Sequence, residues 1–219
     1  HRGRVLYFII CVTETPFNAP DSIEQRILTG LAKIGLALRS QAWQDAGRQG
    51  LTPTQGQILA LLVDSSTPQV RLSDVAKHLG VTAATASDAV AALVEKGLVQ
   101  KNRSLEDGRA IAITLTSQGQ QAAIQASSWS DFLLHTVDEL SEEEKIIFLR
   151  GLIKMIRKLQ EQEQIAVAKM CVTCQYFRPN QYPGLERPHH CALVNASFGD
   201  ANLRLNCADH VAVVSTKAK

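Results

Sequence analysis

Four cysteines near the end of the chain carry its plainest chemistry. Cys171 and Cys174 are separated by two residues, sixteen residues lead on to Cys191, and fifteen more to Cys207. Thiolates are ligands for zinc and for iron–sulfur clusters, and four of them complete a tetrahedral set. Disulfides persist in oxidising compartments, and no convincing export signal precedes these residues, so metal is favoured over bridges. A thioredoxin-like role for Cys171 and Cys174 lacks the βαβ pattern such a role needs. Structural zinc sites commonly use two Cys-x-x-Cys knuckles. Here the third and fourth cysteines stand singly, which suits a [4Fe–4S] cluster, while His189, His190 and His210 lie close enough in sequence to complete a zinc site. One metal centre per chain is expected, with zinc and the cluster both open.

A second constellation lies in the middle of the chain. Thr82, Ala84, Thr85 and Ser87 are small or hydroxylic residues at the start of a helical stretch, and Lys101, Arg103, Asp107 and Arg109 follow on a polar hairpin, with Lys77 and Lys96 flanking. The major groove of duplex DNA admits a helix whose leading face is not bulky, and hydroxyls there reach phosphates and base edges. A helix N-terminus favours phosphate, and basic residues on a hairpin suit backbone or minor-groove contact. Each residue also has a plainer reading. Thr82 and Thr85 could be helix caps alone, Lys101 and Glu106 could be solvated charges, and Asp107 is better placed to orient Arg109 than to meet phosphate. His78 and His135 read as surface residues. The case rests on the ordered set.

The elements that must position these residues are mostly helical. Between Asp21 and about Arg48, Ile23, Ile27, Leu31, Ile34 and Leu38 form one stripe of a 3.6-residue period, with Leu28 and Leu36 beside it. Thr52, Pro53 and Gln55 spell a capping box that opens a second helix ending near Asp64. Ser65 to Pro68 is turn chemistry. Leu72 to Gly80 is a short helix with Ser73 as its N-cap and Gly80 as its terminator, and Thr82 caps a helix that continues to Lys96 and stops at Gly97. Leu98–Lys101 and Ala110–Leu115 read as two strands around an Asp-Gly turn. Thr116 or Ser117 restarts a helix through Ile124 and Trp129, and a capping box at Ser141 and Glu144 opens a long last helix through Leu159. Near Met170 the helical period ends in a loop-rich stretch.

The order short helix, turn, second helix, charged hairpin is that of a winged helix-turn-helix. The stretches Leu72-Ser-Asp-Val-Ala-Lys-His-Leu-Gly-Val-Thr, Leu93-Val-Glu-Lys-Gly-Leu-Val and Glu106-Asp-Gly-Arg-Ala-Ile-Ala-Ile-Thr-Leu-Thr-Ser-Gln-Gly119 resemble the MarR family of regulators, over about Ile23 to Gln164. Asp107 and Arg109 match that family's wing acid and arginine. The resemblance implies a homodimer built from the first and last helices, a pseudo-palindromic operator, and commonly a repressor released by a small molecule or by oxidation. Separately, Cys171-Val-Thr-Cys-Gln-Tyr-Phe177 with Cys191 and Cys207 resembles the cysteine spacing of high-potential iron–sulfur proteins. The aromatic shell is thin, at Tyr176, Phe177, Tyr182 and Phe198.

The expected architecture is therefore mainly α with a small β-wing. Residues 1–20 form an extension that is disordered or lies upstream of the true start, 21–168 the winged helix domain with 72–115 as its DNA-binding core, and 169–219 a cysteine-rich metal module. Aromatic residues at 5% and hydrophobic ones at 45% suit an aliphatic helical core. A net charge of +2 requires any DNA affinity to come from a local patch. The apolar run Val5–Val12 is too short to span a bilayer, and no small-x-small cleavage site follows it, which points to a cytoplasmic protein. Val12 could be a non-ATG start. No catalytic set is found. The expected function is a sequence-specific DNA-binding transcriptional regulator, a dimeric repressor modulated by a ligand or by redox or metal state. The alternative is an iron–sulfur or thiol electron-transfer module on a helical scaffold.

Overall fold

The computed structural model describes residues 22–64, 69–103 and 110–213. The extension expected at 1–20 and the wing tip lie outside them. By its contacts the chain divides into two compact units, residues 1–40 and 41–219, and the first helix, α1 (Ile23–Arg48), runs through the boundary. In the first unit α1 carries Ile23, Ile27, Leu28, Ile34 and Leu36 exposed.

The second unit begins with the last turns of α1, where Ala46 is buried. Helix α2 (Pro53–Asp64) starts at the expected box: Thr52 N–H donates to Gln55 Oε1 at 3.1 Å and Gln55 N–H to Thr52 Oγ1 at 3.3 Å. A two-residue strand, β1 (Val70–Arg71), leads directly into α3 (Leu72–Leu79). Arg71, not Ser73, therefore occupies the N-cap, without a side-chain cap bond, because a strand already paired to the sheet holds the chain there. Gly80 closes α3 at φ +63°, a left-handed conformation that a side chain would strain.

Helix α4 (Ala83–Glu95) follows, then β2 (Val99–Arg103) and β3 (Ile111–Leu115). The three strands pair antiparallel in the order β1-β3-β2, with Lys101 opposite Ile113 and Arg103 opposite Ile111. Helix α5 (Ser117–Ser127) is capped by Thr116, whose hydroxyl accepts from Gly119 N–H at 2.9 Å and donates to Gly97 O at 2.7 Å. Gly119 is required here. A Cβ on it would stand 1.8 Å from the Leu98 carbonyl oxygen, so α5 meets the hairpin backbone directly. The helix expected to run through Trp129 ends at Ser127, and a separate α6 (Phe132–Asp138) precedes α7 (Glu142–Glu161). The capping box at Ser141 and Glu144 is present.

The core sits between α2, α4, α5 and the sheet. Ile58, Leu59, Val75, Val90, Leu93 and Ile113 are fully buried, and each such side chain contributes on the order of 1.5–3 kcal/mol relative to exposure. Beyond α7 the stretch expected to be loop-rich contains a second antiparallel sheet, in order β4-β5-β6 (Phe177–Arg178, His189–Cys191, Ala196–Phe198). Single 3₁₀ turns flank it at Cys171–Thr173 and Asp200–Asn202. Strands of two or three residues leave too little alternation to read in a sequence. No helix among the described residues is long and apolar enough to cross a membrane.

Candidate functional site

Helix α4 presents two different faces. Ala86, Val90 and Leu93 are buried in the core, while Thr82, Ala83, Ala84 and Thr85 are exposed and Ser87 is half-buried. Thr82 does cap the helix, its hydroxyl accepting from Thr85 N–H at 3.1 Å and lying 2.8 Å from the Thr85 hydroxyl. Capping uses one lone pair of Thr82, so capping and contact with a ligand are compatible roles. Lys77 is exposed on α3, and Lys101 and Arg103 are exposed on β2. The arrangement brings a small, hydroxyl-bearing helix start and a basic hairpin into one unit. Asp107 and Arg109 lie outside the described residues.

Lys96, read in sequence as a flanking cation, serves a different purpose. Its ammonium donates to the Gly50 carbonyl and, at 3.0 Å, to Gln55 Oε1. Gln55 is only 6% exposed, and this bond together with that from Thr52 N–H satisfies its buried oxygen. The contact spans more than forty residues of sequence, and no local pattern announces it.

The four cysteines line one cavity of about 340 Å³, with Tyr176, Phe177, Leu193 and Phe198 among its apolar walls. None of the four is in a disulfide. Among the described residues no three His, Cys, Asp or Glu side chains converge closely enough to hold a single metal ion. Cys171 N–H donates to Arg204 O at 3.0 Å, Arg204 N–H donates to Cys171 Sγ at 3.3 Å, and the Arg204 guanidinium stands 4.0 Å from Cys207 Sγ. Burial pushes the Cys171 thiol above its ordinary value, against the lowering effect of the Arg204 N–H, and negative charge on Cys207 and Cys191 raises it further. Thiolates crowded in this way disfavour one another until a cation joins them.

Two of the three neighbouring histidines are engaged, while His190 Nδ1 is buried without a hydrogen-bond partner. His189 Nδ1 accepts from Asn180 N–H at 3.2 Å, so Nε2 carries the proton and donates to Asp200 Oδ1 at 3.0 Å. The ring lies 5.3 Å from Phe177 and 5.7 Å from Phe198. His210 Nε2 is 3.0 Å from the Thr173 hydroxyl. Asp200 also reaches back to the last long helix, its Oδ2 standing 3.4 Å from Arg150 Nη1 on α7. The sequence offers no sign of this clasp, because Arg150 and Asp200 are far apart in the chain and neither sits in a pattern.

Comparison with known proteins places the first of these sites in a family. A profile of the MarR family matches residues 49–110, from just before α2 to just before β3. The HTH-type transcriptional repressor YetL of Bacillus subtilis (strain 168) is 32% identical over 115 residues, which cover 52% of this chain and 68% of YetL. Two solved structures of S. aureus MepR are similar. The MepR–DNA complex is 26% identical with a TM-score of 0.53, over 64% of this chain and 99% of that one. MepR in its DNA-binding conformation is 28% identical with a TM-score of 0.55, over 61% and 98%. The profile-matched span contains α3, α4 and β2, and the cysteines lie beyond it. With the capped recognition-type helix, the three-stranded wing and the YetL match in agreement, the chain belongs to the MarR family of winged helix transcriptional regulators.

Proposed function

We propose that this protein is a homodimeric repressor that reads a pseudo-palindromic operator in duplex DNA through α4, and whose affinity is set by a metal centre in its C-terminal module. One observation carries the DNA reading: the exposed start of α4, with Thr82, Ala84 and Thr85, lies in the same unit as the exposed Lys101 and Arg103 of β2. Ser87, Lys77, Asp107 and Arg109 complete the proposed interface. The threonines and the alanine approach base edges, and the cations neutralise phosphates.

Dimerisation is supported by apolar residues left exposed on the first and last helices, Ile27 and Leu28 on α1 and Ile147 and Phe148 on α7. A dimer would bury surface that a lone chain leaves in water. Modulation by the tail is supported by the Arg150–Asp200 pair, since Asp200 shares a 3₁₀ turn with Asn202, which lines the cysteine cavity, and thereby ties that turn to α7. This solvent-accessible pair, its aspartate half-buried, contributes at most about 1 kcal/mol, which suits a reversible latch. A small-molecule effector is the second means of release.

The test is binding to genomic fragments across a range of salt. Specific binding that weakens steeply as salt rises is expected, because neutralised phosphates release counterions. Arg109→Ala should weaken binding to all sequences alike, and Lys101→Ala should reduce the salt slope by about 1. Absence of specific binding to any fragment would overturn the regulator and leave the electron-transfer module on a helical scaffold.

A further inference from the structure

We infer that the four cysteines form the cage of a four-iron, four-sulfur cluster and not of a single zinc ion, with Arg204 as the residue that tunes it. The inference rests on the reading of the tail as a metal module and refines it. Zinc bound by four thiolates at about 2.3 Å draws the sulfurs to within roughly 3.8 Å of one another and leaves no space between them. Here Cys171, Cys174, Cys191 and Cys207 instead line, with other residues, a cavity of about 340 Å³, the room of about ten water molecules. No three donors among the described residues form a group that could hold one ion, yet all four cysteines line the same cavity. That is the arrangement a cube requires, because each thiolate binds a different iron and the sulfurs must stand apart.

Three further observations agree. Of the three histidines that could complete a Cys–His zinc set, His189 is held by Asn180 and Asp200 and His210 by Thr173, and none of the three is among the residues lining the cysteine cavity. Phe177, Leu193 and Phe198 supply an apolar wall, and burial from water is one of the factors that set cluster potential. Arg204 offers a backbone N–H to Cys171 Sγ and a guanidinium toward Cys207 Sγ, and donors to ligand sulfur stabilise the extra negative charge of a reduced cluster. Loading replaces the four thiol protons by four iron–sulfur bonds and releases those protons. The iron and the inorganic sulfide must come from the cell's cluster-assembly chemistry.

The experiment is metal and sulfide analysis with visible spectroscopy on the full-length protein purified without oxygen. About four irons and four sulfides per chain are expected, with a broad visible absorption that acid abolishes as sulfide is released. Colourless protein with about one zinc per chain would overturn the cluster and leave the metal module standing. Protein free of both metals with a folded tail would overturn both. Because a cysteine variant could unfold the tail, the second measurement uses Arg204→Ala, which keeps the backbone N–H. Iron content should be unchanged, and the midpoint potential of the one-electron couple, measured at an electrode, should fall, because removing a positive charge disfavours the reduced cluster. An unchanged potential would overturn the role given to Arg204.

Discussion

The winged helix and the cysteine module are held together in different ways. In the winged helix, Ile58, Leu59, Val75, Val90, Leu93 and Ile113 interlock in a continuous apolar core. From residue 169 to 213 the only buried hydrophobic side chain is Met170, and the three strands there are two or three residues long. A segment of that size without a core needs a staple, and four thiols facing one cavity offer the means. The difference teaches that apolar packing is concentrated in the first region. The first region has a continuous apolar core of its own, and on the proposed reading the second takes its order from the metal centre.

Cys174→Ser is expected to break this comparison most visibly. The module should lose its metal entirely and become susceptible to proteolysis, while thermal melting followed by helical circular dichroism stays within the error of the parent. Melting of both regions together would show that they are one cooperative structure.

Gly119→Ala should do the reverse. A methyl group 1.8 Å from the Leu98 carbonyl forces α5 off the hairpin, and a loss of about 3 kcal/mol in denaturant unfolding is expected from such overpacking. Metal content per folded chain should not change.

Thr82→Ala sharpens the comparison on the DNA-reading side. Loss of the bond from Thr85 N–H should lower stability by about 1 kcal/mol and weaken operator binding. A stability loss with unchanged binding would reduce Thr82 to a cap.

The smallest effect is electrostatic. Hydrogen bonds from the Ser141 backbone and hydroxyl hold Glu144 below the usual carboxylate range. A lowered folded value means that the charge adds stability above the ordinary carboxylate pKa and loses it as pH falls through the folded one. Glu144→Gln should flatten that acid-side slope of unfolding free energy while keeping α7 helical, and an unaltered slope would assign the acid sensitivity elsewhere.

Much of the winged helix was legible because its signals are local. Thr52 with Gln55, Thr82 with Thr85, and Ser141 with Glu144 each announce a helix start within four residues, and Gly80 announces an end. Ser73 misled because a cap-type residue looks the same whether or not a strand runs straight into the helix, and β1 depends on β3 forty residues on. Lys96 misled for a similar reason, since a surface cation and one folded onto Gly50 and Gln55 share the same sequence context.

The cysteine module divides along the same line. The identity and spacing of its four thiols stand in the sequence, because ligand chemistry belongs to the residue type. That the four line one cavity, that His189 is bonded to Asn180 and Asp200, and that Asp200 reaches Arg150 were decided only by the tertiary structure. Helix caps and glycine turns are short-range consequences of backbone geometry and can be read in order. A cage and a clasp depend on distances between residues far apart in the chain, and those distances exist only after packing.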